Sequence, residues 1–250
     1  MKKYFRNFLI FFTIWIIVMV IYSFTEKIHD TDYYLKFFLV PAVFLGFIAL
    51  LATFLSDVIP VKKGVNLIFL LLAVGADQAI KSYLFSLNWQ ELSIPLIKPV
   101  FYIEPTHNTL GSYLWVVLGL KKGSHLLNII LFTIIGFLFF EVWRFYVARK
   151  RNSFWINGFG HLFLAGLFAN LIDNAFRGGS LDYITIRPFY TFDLKDLYIT
   201  LCEFFLLTEL IDNKLFRRLL KMPKEESNEL NRAFKEFVLD DLKSVFRGKK

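Results

Sequence analysis

The sequence predicts an all-α polytopic membrane protein with six transmembrane helices and a small β-like section outside the membrane. Three observations carry that prediction. The 250 residues are 56% hydrophobic and include 31 Phe, 11 Tyr and 5 Trp, more apolar than the soluble average of about 45–50%. Apolar windows near the roughly 20 residues that a bilayer core demands recur six times along the chain. Lys and Arg gather in connections that would share one side of a membrane.

The opening MKKYFRNFLIFFTIWIIVMVIYSF has a basic head and an apolar run with no small-residue cleavage pattern after it, so it reads as an anchor rather than a removed signal peptide. It supplies the first span, about residues 8–24. The polar hairpin TEKIHDTDYY leads to the second, about 35–55, and the third covers about 65–87. Between 88 and 124, Pro95, Pro99, Pro105 and short runs such as VFYIE predict an extended, partly β section at the membrane face. Spans four, five and six cover about 125–147, 154–175 and 194–215.

Orientation follows from the basic residues. Lys2, Lys3 and Arg6, then Lys62 and Lys63, then ARKR at 148–151, then Arg217, Arg218 and Lys221 fall on one face of a six-span arrangement. The positive-inside bias makes that face, with both termini, cytoplasmic. Lys121 and Lys122 dissent from the opposite face. The net charge of +8 thus reflects topology; membrane lipids are the expected surroundings and no nucleic acid is an expected partner. The charged tail spaces Leu230, Phe234, Phe237, Val238 and Leu242 as an amphipathic helix, suited to the inner leaflet or a partner, with a plain solvated helix equally open. A single cysteine, Cys202, excludes an intramolecular disulfide and reads as a buried thiol.

Polar residues inside apolar spans are costly and usually face a protein interior or a water cavity. Asp77 and Lys81 are four apart on span three and share a helix face. Gly166, Asn170 and Asp173 share a face of span five, where the glycine permits close helix approach. Asp196, Thr200 and Glu203 share a face of span six; Glu203 reads as an interhelical hydrogen bond, and Glu209 as wetted near the cytoplasmic end. The outer ends of spans five and six bring together Asp173, Asp182, Asp193 and Asp196. Crowded carboxylates must share protons, bind a cation or pair with Lys195, Arg177 or Arg187. Two that share a proton can activate water against an amide, which is aspartic protease chemistry and needs no metal or cofactor. A carboxylate site for Mg or Ca stays open on this reading. The four histidines show no HExxH spacing, no GxSxG is present, and GFGH at 158–161 reads as packing.

In that order the polar motifs resemble those of signal peptidase II, the bacterial lipoprotein signal peptidase family. ADQAIK (76–81) is similar to its D-Q-x-x-K, and HNTLGSY (107–113) to its R-N-x-G-A-A-F. GLFANLIDNAFRGGSLDYI is similar to its G-A-x-G-N-x-x-D-R followed by G-x-V-V-D-F, and FDLKDLY (192–198) to its F-N-x-A-D. The resemblance covers roughly residues 64–215. It implies a four-helix core at 61–215, preceded by a two-helix hairpin at 1–60 and followed by a basic cytoplasmic tail at 216–250. It implies an aspartic endopeptidase of the bacterial cytoplasmic membrane with its active site on the extracytoplasmic side, no cofactor, and globomycin sensitivity. The implied substrate is a prolipoprotein cut before its diacylglyceryl-modified cysteine. It places the catalytic pair on Asp182 and Asp196, with Asp77, Lys81, Asn108, Asn170, Asp173 and Asp193 as supporting residues. The chain departs from the family pattern at His107, Leu110, Asn174, Asp193 and Lys195. Those departures leave a second reading, a differently specific or non-catalytic relative that binds lipopeptide on the same fold. A small ion-coupled transporter, motivated by Glu203, is a third reading, and the lack of an inverted repeat argues against it.

Overall fold

The computed structural model describes residues 1–25, 31–61, 64–109, 125–149, 152–187 and 190–247. Helices α1 (Lys2–Thr25) and α2 (Thr31–Val58) form an antiparallel hairpin. Its polar clasp is a hydrogen bond of 3.0 Å from Asn7 Nδ2 to Thr53 Oγ1, both fully buried, with Lys3 paired to Asp57 at the helix ends. The hairpin leans on the rest of the molecule through Phe11, whose ring stacks on Phe204 at 4.7 Å.

Helix α3 (Leu67–Phe85) starts at Asn66, whose side chain accepts from the Phe69 amide. Helix α4 (His125–Arg149) leads to α5 (Phe154–Ile172), capped by Ser153 accepting from Ile156. These caps satisfy amides that the first turn leaves open. A π-helical turn, Asp173–Arg177, extends α5 and stops at Gly178 in the left-handed region, φ 65°. Helices α6 (Leu194–Asp212), α7 (Leu215–Leu220) and α8 (Lys224–Arg247) complete the helical elements.

Helix α5 is the axis of the core. A Cβ on Gly158 would lie 2.2 Å from the Phe205 ring of α6, and one on Gly160 2.3 Å from the Trp143 indole of α4. The GFGH glycines are therefore packing positions, as expected. Gly158→Val forces that ring out of place and is expected to cost about 1–3 kcal/mol. A lower thermal midpoint in detergent checks this; an unchanged midpoint would show that the α5–α6 spacing adjusts freely.

A four-stranded antiparallel sheet caps one end, in the order β1 (Ile94–Ile97), β2 (Phe101–Asn108), β3 (Ser180–Ile186), β4 (Tyr190–Phe192). The β section expected near VFYIE is present as β1 and β2. Strands β3 and β4 were not anticipated. The register of β3 on β2 pairs Thr106 with Asp182 and Asn108 with Ser180, so residues 76 and 72 positions apart become neighbours.

Among the described residues, four helices are long and apolar enough to cross a membrane: Leu35–Val58, Leu67–Phe85, His125–Arg149 and Phe154–Arg177. Helix α6 carries Lys195, Asp196, Glu203 and Glu209, a heavier charge load than those four. Two expectations for α6 are overturned. Glu209 is not wetted: it is 1% exposed and accepts from Tyr146 Oη at 2.8 Å, Asn213 Nδ2 at 2.7 Å and Ser153 Oγ. Glu203 makes no interhelical hydrogen bond among the described residues and is exposed. It lies off the buried stripe of Cys202, Phe205, Thr208 and Glu209, so the helix turns it outward. The tail helix α8 packs on the protein itself, with Phe234 and Phe237 edge-on to Phe145 of α4 and Arg144 paired to Asp241.

Candidate active site

The sheet end of the helices holds a buried charge network built from four parts of the chain. On α3, Asp77 and Lys81 face inward one turn apart, and their side chains are fully buried. The Lys81 ammonium contacts three carboxylates: Asp77 at 2.8 Å, Asp173 at 2.6 Å and Asp193 at 2.6 Å. A lone ammonium at this depth is prohibitive, whereas three oxygens replace its water shell. Asp173 opens the π-helical turn after α5 and also takes Arg177 at 3.1 Å and Gln78 Nε2 at 3.1 Å. Arg177 in turn reaches Ser82 Oγ at 3.1 Å. An arginine therefore does meet Asp173, from one turn beyond the Asn174 position where the resemblance leads one to look for it.

Asp193 is the N-cap of α6. Its carboxylate accepts from the Asp196 amide at 3.1 Å, while the Asp196 carboxylate accepts from the Asp193 amide at 3.3 Å. This reciprocal capping box fixes both side chains at the positive end of a helix. The next amide, Lys195 N, donates to Asp77 Oδ1 at 3.3 Å and ties α6 to α3. Gly166 allows this arrangement. A Cβ there would meet Ile199 at 2.6 Å and the Lys195 carbonyl at 3.3 Å, so only glycine lets α5 approach the first turn of α6.

Asp182 comes from β3. Asn108 Nδ2 on β2 donates to its Oδ2 at 3.2 Å. Its Oδ1 is buried and accepts no hydrogen bond among the described residues. Burial raises this carboxyl above the ordinary carboxylate value, and the Lys195 charge pulls the other way. Gly179, at φ 154°, delivers the strand: a side chain there would strike the Asn108 carbonyl at 2.5 Å.

One carboxylate oxygen from each of Asp182, Asp193 and Asp196 lies within 4.8 Å of the others, a spacing that could hold a metal ion. The Lys195 ammonium stands among them, 3.5 Å from Asp182, 2.5 Å from Asp193 and 3.6 Å from Asp196. The positive charge between these carboxylates is thus the chain's own. Asp196 keeps a side chain 47% exposed, while Asp193 has none exposed. Asp182 and Asp196 together can offer one sheltered and one open oxygen to a bound amide and a water.

Of the sequence-predicted site residues, Asp77, Lys81, Asn108, Asp173, Asp182, Asp193 and Asp196 are brought into this one network. Asn170 is not: its side chain accepts from Asn174 Nδ2 at 2.8 Å and contacts none of the aspartates by hydrogen bond among the described residues. The helix advances by 300° over three residues, which separates Asn170 from Asp173 enough to pair it with position 174 instead. Leu110 and the following part of HNTLGSY lie outside the described residues. Lys195, Ser180, Gln78 and Arg177 belong to the network but were not among the predicted site residues. The signal for Lys195 was present, since a lysine flanked by Asp193 and Asp196 is rarely idle, and Gln78 is the Q of the ADQAIK stretch; nothing local in the sequence marked Ser180.

A family model described as signal peptidase (SPase) II matches residues 68–212, more than half of the chain. A lipoprotein signal peptidase from Halothermothrix orenii is 27% identical over 129 residues, covering 52% of this chain and 83% of its own. Two solved bacterial membrane enzymes, determined by the in meso method, are similar at 18% and 19% identity. They cover 63% and 58% of this chain and 91% and 90% of their own, with TM-scores of 0.45 and 0.46. With its model match spanning the helices and strands that build the charge network, the chain belongs to the signal peptidase II family.

Proposed function

We propose that the protein is a membrane aspartic endopeptidase that removes signal peptides from diacylglyceryl-modified prolipoproteins, with Asp182 and Asp196 as its catalytic pair. The observation that carries the reading is the buried carboxylate of Asp182, whose Oδ1 accepts no hydrogen bond among the described residues and meets only the Lys195 ammonium at 3.5 Å, close to the half-exposed carboxylate of Asp196. Burial favours the protonated form of this carboxyl, and a protonated carboxyl polarises the scissile carbonyl. The ionised partner takes a proton from water as the water attacks. The tetrahedral intermediate collapses when the proton held by the pair passes to the leaving amide nitrogen, and the peptide bond breaks. The remaining aspartates serve this pair: Asp193 fixes Asp196 through the capping box, and Asp77 and Asp173 hold Lys81.

On this reading six helices span the bacterial cytoplasmic membrane. Both termini and the tail at 216–250 are cytoplasmic, and the network lies at the extracytoplasmic face. The four apolar helices and the basic clusters at one end of the spans support that topology. The hairpin at 1–60 and the tail are separate additions to the core at 61–215. The test is direct: purified protein in liposomes is given a diacylglyceryl-modified prolipoprotein, and release of the signal peptide, blocked by globomycin, is expected. Retention of the lipopeptide with no cleavage would replace this reading with the binding protein on the same fold.

A further inference from the structure

We propose that Lys195 is a positioning residue of the Asp182–Asp196 pair, a built-in counter-ion that holds the two carboxylates together and sets the pH range over which they share a proton. This inference rests on the peptidase reading above for its kinetic consequence, and on geometry for the rest. The lysine side chain is 6% exposed, with its ammonium within 3.9 Å of four carboxylates: Asp193, Asp182, Asp196 and Asp173. Two contacts anchor it. Ser180 Oγ accepts from Nζ at 2.7 Å, and Asp193 Oδ2 lies at 2.5 Å. Ser180 also donates to Asp193 Oδ2 at 2.8 Å, so the ammonium sits in a closed ring of polar contacts and cannot swing away. From that place it spans to Asp182 on β3 and Asp196 on α6, two elements that share no strand register or helix cap.

The surroundings separate Lys195 from the other charges. From α3, Asp77 and Lys81 face the same ring, and from the π-helical turn Asp173 and Arg177 do. Tyr183 of β3, Tyr190 of β4 and Tyr198 of α6 also lie near the carboxylates. Asp77, Asp173 and Asp193 each contact the Lys81 ammonium, and Asp173 also takes Arg177, so each keeps a cationic partner without Lys195. Asp182 and Asp196 have Lys195 as their only ion-pair partner among the described residues. Its loss leaves Asp193 with Lys81 but leaves that pair with no cation among the described residues. An adjacent cation favours the doubly ionised pair, which lacks the proton that catalysis needs.

Lys195→Ala is expected to move the pH profile of cleavage toward higher pH by about one to two units, because the pair then keeps its shared proton longer. Lys195→Arg keeps the charge and is expected to leave the profile in place even if the rate falls. A lysine with only a packing role would lower the rate at every pH without moving the profile, and that result overturns the proposal. Lys195→Gln, which removes the charge but keeps a donor for Ser180 and Asp193, provides a second variant if Lys195→Ala fails to fold, with a shift in the same direction expected. Infrared titration of the protonated carboxyl band, with Asp182→Asn as reference, reads the same proton without turnover. A band that titrates at higher pH in Lys195→Ala sustains the proposal even where no prolipoprotein is cleaved, an outcome that instead removes the peptidase reading. An unmoved band overturns the proposal whatever the cleavage result.

Discussion

Asp182→Asn and Asp196→Asn are each expected to reduce prolipoprotein cleavage by about two to four orders of magnitude, the usual range for loss of a general acid or base. Each substitution preserves shape and removes the ability to exchange a proton. The side chains differ in surroundings, so the structural consequences differ. An amide at Asp182 keeps a hydrogen-bond partner in Asn108, whose amide can turn to suit it. An amide at Asp196 keeps an acceptor oxygen for the Asp193 amide, so the capping box survives. Both variants are therefore expected to fold, and a thermal midpoint near the parent's would confirm that the loss is chemical. Groups that act as one unit are not additive, so the double variant is expected to be no worse than either single one. Cleavage that persists in either single variant would remove that residue from the pair, and the assignment would move to Asp193 or Asp173.

Lys81→Met carries the largest expected effect on stability, about 3–5 kcal/mol, the usual cost of stranding buried charge. Methionine matches the length of the lysine stem but leaves Asp77, Asp173 and Asp193 facing one another. Arg177 and Gln78 still serve Asp173, and Lys195 still serves Asp193, so Asp77 bears most of the loss. Adding Asp77→Asn to Lys81→Met removes the stranded charge and is expected to recover a substantial part of the stability. A double-mutant cycle in thermal unfolding would measure the coupling. Coupling near zero would mean that water reaches this end of α3 and screens the pair. Cleavage by Lys81→Met is expected to fall as well, since Asp77 also receives the Lys195 amide that sets the first turn of α6.

The helices were legible because hydropathy is a property of windows. The apolar stretches at 35–55, 65–87, 125–147 and 154–175 appear as α2 to α5 with ends shifted by a few residues. The motif residues were legible because helical spacing is local: Asp77 and Lys81 do share a face, and Gly166 does seat α5 against α6. Strands β3 and β4 escaped because the stretch from Gly178 to Asp193 is short and its pairing partner, β2, lies more than seventy residues earlier. Glu203 and Glu209 were misread for one reason. The sequence of α6 offers polar residues on more than one side, and only its neighbours decide which side is inside.

What the sequence by itself determined is the membrane character, the positions of the apolar helices and the list of aspartates able to act. Each of these follows from composition or from spacing within one helix. What only the tertiary structure decided is how those aspartates divide their work. Five carboxylates from α3, the turn after α5, β3 and the start of α6 meet around two ammonium groups, and which pairs with which depends on distances across elements. Lys81 takes Asp77 and Asp173, Asp193 lies between the two ammonium groups, and Lys195 alone reaches Asp182 and Asp196 among the described residues. Coulombic interaction depends on separation in space and on burial, and neither is carried by position along the chain.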